Sequence, residues 1–79
     1  MTTPRFLREG TTFAHLHRFA IVPFLTRFET VVYWIDDAAV CDDRGFAQTV
    51  NGPFDTHAEA LAWCDRIAAG TAKAEPIFA

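Results

Sequence analysis

Along residues 11–20 the side chains alternate with a period of two. Phe13, His15, His17 and Phe19 share one side of an extended chain, and Thr12, Ala14, Leu16 and Arg18 share the other. The β-prone run continues through Phe19-Ala20-Ile21-Val22 to Pro23, which has no amide to give a ladder. The segment is therefore an edge strand or is broken near Pro23. The strongest strand signal covers residues 24–35, where Phe28, Val31, Val32, Tyr33, Trp34 and Ile35 are β-branched or aromatic. Asp36-Asp37 closes it. Ala38-Ala39-Val40-Cys41 is a short apolar piece before Asp42-Asp43-Arg44-Gly45, a strong turn sequence, and residues 46–50 return as a strand of an antiparallel hairpin. Asn51-Gly52-Pro53 is a second breaker.

The period then changes to that of a helix. Thr56 and Glu59 have capping-box spacing, and Asp55 and Glu59 suit the positive end of the helix dipole. The helix should start at Asp55 or Thr56 and end near Gly70. Ala60, Leu61, Cys64, Ile67 and Ala68 form its apolar stripe, with Trp63 at the border and Leu61, Cys64 and Ile67 buried. Residues 1–10 read as an irregular lead-in, and Pro76-Ile77-Phe78 as a last short strand or a flap over the core. Strands followed by one helix imply an α+β fold: an antiparallel sheet of three or four strands with one face covered by the helix.

Composition narrows the function classes. At 79 residues, 51% hydrophobic and 22% charged, the chain is a single small ordered domain with no separate catalytic unit. No apolar run reaches the ~18 residues of a membrane span, and no secretory leader is visible, so a cytoplasmic location is expected. Cys41 and Cys64 are expected to be reduced thiols. The net charge of −3 is unevenly spread: Arg5, Arg8, Arg18 and Arg27 meet only Glu9 in the first 27 residues, and the other nine acids follow. An acidic chain of this kind is poorly suited to generic binding of DNA or membrane surfaces.

Candidate chemistry is sparse. His15, His17, His57, Cys41 and Cys64 are the soft metal ligands, but no close cysteine pair organises them into the four-ligand set of a zinc site, and Cys64 lies on the apolar stripe. Counted from Asp37, the acidic segment has Ala39, Asp42 and Gln48 at the third, sixth and twelfth positions, where a calcium loop needs an oxygen ligand, a glycine and a glutamate. His57 and Cys64 lie seven residues apart, roughly 10 Å along a helix, too far for a nucleophile and its base. No phosphate loop or hydrolase motif is present. The expectation is a protein that is not an enzyme and takes no cofactor or metal.

Tyr33 and Trp34 are adjacent in a strand, so one of them faces away from the helix and marks a binding or homodimer surface. The expected recognition groups are Asp36, Asp37, Asp42 and Asp43, presenting charge to a basic protein partner, with Tyr33 or Trp34 as an aromatic anchor. The alternative is a small nucleic-acid-binding or regulatory protein that uses Arg5, Arg8, Arg18 and Arg27.

Size and layout resemble those of small phage-encoded anti-CRISPR proteins. The local likeness is Val50-Asn51-Gly52-Pro53-Phe54-Asp55-Thr56-His57-Ala58-Glu59-Ala60-Leu61-Ala62-Trp63, similar to the turn, the Phe-Asp-Thr helix start and the helical Trp of one such family. It covers about a fifth of the chain. The resemblance implies a mobile-element inhibitor that occupies a surface of a CRISPR complex, often one that would contact nucleic acid.

Overall fold

The computed structural model describes residues 9–77. Four strands, β1 (Thr12–Ala14), β2 (Phe19–Leu25), β3 (Val31–Cys41) and β4 (Ala47–Phe54), form an antiparallel sheet in sequence order. One helix, α1 (His57–Ala68), follows and packs on one face, giving the expected α+β architecture. The lead-in up to Arg8 and the terminal Phe78 lie outside the described residues. No helix among the described residues is long and apolar enough to cross a membrane.

Directly paired residues share a face of an antiparallel sheet, so the register assigns the two sides. Ile21 pairs with Ile35, Phe19 with Asp37 and Pro23 with Tyr33 on the helix side. There Phe19, Ile21, Ile35 and Val50 close against Ala60, Cys64 and Ile67 of α1. Ala20, Asp36 and Thr49 form a buried row on the other face.

Two turns were hidden by β-prone residues. Residues 11–20 are not one strand, because the chain reverses at His15-Leu16-His17, all three in the left-handed region at φ 55°, 56° and 69°. Residues 24–35 are likewise divided by a turn at 26–30, in which the Thr26 amide donates to the Thr30 carbonyl (2.8 Å) and Glu29 takes φ 63°. Neither turn carries the Gly or Asn that normally marks positive φ. Asp36-Asp37 does not end a strand; β3 runs through both acids to Cys41. β4 likewise continues through Asn51-Gly52-Pro53, accommodated by register shifts against β3. Gly52 is required there: at φ 137°, an added Cβ would lie 2.7 Å from the Trp34 ring. Pro23 does not break β2. Among the described residues the ladder to β1 ends at Ile21, and Gly10 passes beside the Pro23 ring without a ladder pairing, so the missing amide is tolerated there.

The helix starts as its sequence implies. Thr56 Oγ1 accepts from the Glu59 amide (3.1 Å), and the Thr56 amide donates to Glu59 Oε1 (3.2 Å). Ala69 caps the other end, and Gly70 follows at φ 82°. The buried stripe is narrower than expected: Ala60, Cys64 and Ile67 are buried, whereas Leu61 is 37% exposed and Ala68 is exposed. Leu61 sits one residue past Ala60, about 100° around the helix, and the small sheet does not wrap that far. Of the tail, Ile77 donates its amide to the Thr49 carbonyl (2.9 Å), lying alongside the outer edge of β4.

These positions should separate in denaturant unfolding. Thr56→Ala should lose about 1 kcal/mol with the cap. Ile67→Ala should lose about 2–4 kcal/mol by leaving a cavity, while Leu61→Ala should change stability by less than about 1 kcal/mol. An equal loss at positions 61 and 67 would contradict the assigned helix face.

Candidate partner-binding surface

The four acids expected to act together are divided by the fold. Asp37 is fully buried on the helix side, and Arg18 reaches it from the β1–β2 turn in a two-pronged pair, Nε to Oδ1 at 3.0 Å and Nη2 to Oδ2 at 3.1 Å. The Ala39 amide also donates to Asp37 Oδ1 (2.9 Å). The hydrogen bond to Asp37 is the main cause that raises the Arg18 pKa, against an opposing effect of desolvation. Asp36 is buried on the other face, where the Thr49 hydroxyl donates to its Oδ1 (2.6 Å). Asp36 and Asp37 are therefore structural groups inside the sheet, not parts of a solvated acidic turn. A strand buried on both faces can hold adjacent acids only where each finds donors.

Asp42 and Asp43 do sit in the exposed β3–β4 turn. Asp42 Oδ1 accepts from the Arg44 amide (2.8 Å) and the Phe46 amide (2.9 Å), so this carboxylate shapes the turn. An open groove of about 420 Å³ beside it is lined by Cys41, Asp43, Arg44, Phe46 and Pro76, among others. Tyr33 and Trp34 do lie on opposite faces, but neither is an exposed anchor. Tyr33 meets the His57 ring edge-on at 5.8 Å between centroids, and Trp34 lies against Gly52.

The arginines do not assemble into a basic patch among the described residues. Arg18 is committed to Asp37, Arg27 lies over the Phe28 ring at 5.5 Å, and Arg5 and Arg8 lie outside the described residues. The histidines diverge too. His15 Nε2 lies 2.7 Å from Asp65 Oδ1, His17 stacks on Phe13 at 4.9 Å, and His57 Nε2 lies 2.7 Å from Thr12 Oγ1. His15 and His57 thus fasten the β1 hairpin to α1.

The surface that sequence reasoning missed is the far end of the β2–β3 hairpin. The ladder to β1 ends at Ile21 and that to β4 ends at Tyr33, so residues 24–32 form a two-stranded arm beyond the rest of the sheet. Phe28 at its tip is 76% exposed, Leu25 is 62% exposed and the cross-strand partner of Leu25, Val31, is 45% exposed. The arm is nevertheless ordered at its turn. Thr26 Oγ1 accepts from the Phe28 amide (3.2 Å) and lies 2.8 Å from Thr30 Oγ1. The signal was present in the sequence as Thr26-Arg27-Phe28-Glu29-Thr30, a polar interruption that the flanking β-formers obscured.

The two cysteines are free and occupy opposite environments, Cys41 exposed at the groove and Cys64 fully buried under the sheet. Burial pushes the Cys64 thiol up to about 11, with Asp65 and Asp37 adding to the shift. An alkylating reagent at neutral pH should therefore modify one thiol in the folded protein and two in denaturant, as read by intact mass. Because the unfolded chain ionises first, Cys64 should also remove stability as pH rises from about 9 to about 11. Rapid labelling of Cys64 in the folded state would contradict this placement.

Comparison with known proteins finds no family model, no curated relative and no solved structure that matches the chain.

Proposed function

We propose that this chain is a non-enzymatic protein-binding module whose contact surface is the β2–β3 arm. The observation that carries the reading is the exposure of Leu25, Phe28 and Val31 on an element that extends past both neighbouring strands. Apolar side chains held together in water mark interaction surfaces, and an aromatic beside an arginine is the composition of an interface anchor. A two-stranded ribbon is also marginal in water by itself and gains most from being covered. The acidic β3–β4 turn, now reduced to Asp42 and Asp43, lies at the other end of β3 and is a secondary feature of this reading.

Inhibition of a CRISPR complex in the host cytoplasm, the role implied by the likeness over residues 50–63, is one specific form of such binding. It rests on that likeness and on the small α+β build.

A benzophenone photo-crosslinker in place of the Phe28 side chain tests the general reading. Irradiation in cells should give discrete protein adducts, absent when the crosslinker replaces the solvent-exposed Lys73. Adducts to nucleic acid alone, or none, would overturn it.

A further inference from the structure

Resting on the reading of the arm as a protein-contact surface, we infer that its partner is a second copy of this chain, docked tip to tip across a two-fold axis. In such a contact the same patch appears on both sides, so each group must find its complement within the patch itself. The tip meets that condition. Phe28 is flanked by one cation, Arg27, and one anion, Glu29, all three exposed. Among the described residues, neither Arg27 nor Glu29 has an ion-pair partner. A two-fold axis near Phe28 sets Arg27 of each copy toward Glu29 of the other, brings the two Phe28 rings together and shields the Leu25–Val31 pairs. A foreign surface of one charge sign would attract one member of the Arg27/Glu29 pair and repel the other.

The tip is also held ready for docking. Glu29 is kept at φ 63° by the turn that Thr26 and Thr30 close, so the backbone that carries the cation, aromatic and anion is already fixed, and only the Arg27 side chain, which lies over its own Phe28 ring, has to swing outward. The patch is small, which places the dimer among weak, concentration-dependent interfaces.

Sedimentation equilibrium of the full chain, from roughly 1 μM to 1 mM, tests this over the range in which weak interfaces dissociate. The wild type should shift from monomer toward dimer, and Phe28→Glu should remain monomeric. Arg27→Glu and Glu29→Arg should each weaken association by about tenfold or more, since each makes the tip single-signed and self-repelling. An equimolar mixture of these two variants should associate again, because the charges are then complementary. That recovery would also show that both variants fold. A wild type that stays monomeric throughout overturns the inference, as does a dimer insensitive to all three substitutions or a mixture that fails to recover. Protein adducts from position 28 in cells, with a monomeric wild type in solution, would refute self-docking and leave the general binding reading intact.

Discussion

A carboxylate buried on the core face of β3, one of the two inner strands, is the constraint around which this small sheet is arranged. Asp37 has no exposure, and it shares its side of the sheet with Phe19, its cross-strand partner. An uncompensated charge there would cost several kcal/mol. Arg18 meets it with two parallel hydrogen bonds, and the Arg18 carbonyl also accepts from the Ala38 amide (2.8 Å). To bring Arg18 to that position the chain must reverse at once after β1, within four residues of Ala14. The turn does so through three successive left-handed residues, each disfavoured by roughly 1–2 kcal/mol. The conformation is held by the Arg18–Asp37 pair, by His15 against Asp65 and by His17 against Phe13. One consequence is that Leu16 is thrust fully into solvent.

This explains what the sequence could and could not show. The capping box is a local code in which four residues contain both halves of the interaction, so the start of the helix was legible from Thr56 and Glu59. The α+β class followed from the change of period, and Gly45 marked the β3–β4 turn. The other two hairpin turns are held by distant or uncommon partners. Nothing in His15-Leu16-His17 announces positive φ; that conformation is imposed by Asp37 and Asp65, 19 and 50 residues away from Arg18 and His15. Adjacent aspartates looked like solvated punctuation for the same reason. Their donors, Arg18 and Thr49, lie in other strands or turns. Tyr33 and Trp34 illustrate a further limit. Alternation correctly placed them on opposite faces, but it could not reveal that Tyr33 would meet the His57 ring or that Trp34 would lie half-buried against Gly52.

The division of labour in the fold follows from its size. With one helix over a four-stranded sheet, the tight core extends only from Phe19 and Ile21 through Ile35 and Val50 to Ala60, Cys64 and Ile67. β1 supplies three paired residues and β4 stops pairing at Tyr33, so among the described residues no other strand pairs with residues 24–32. The buried ion pair thus lies toward the β1–β2 turn, where Leu16 is also exposed, and the cluster of exposed Leu25, Phe28 and Val31 lies at the opposite end of β2. A protein built in this way can change its exposed residues 25, 27, 28, 29 and 31 with little effect on its core.

The central claim is that Arg18 and Asp37 act as one unit on which the sheet depends, and a double-mutant cycle measures that directly. Unfolding free energies of the wild type, Arg18→Met, Asp37→Leu and the double variant should give a coupling of about 2–3 kcal/mol. The double variant should be more stable than Arg18→Met, which leaves the buried carboxylate without its cation. A coupling below about 0.5 kcal/mol, with Arg18→Met near wild-type stability, would contradict the account.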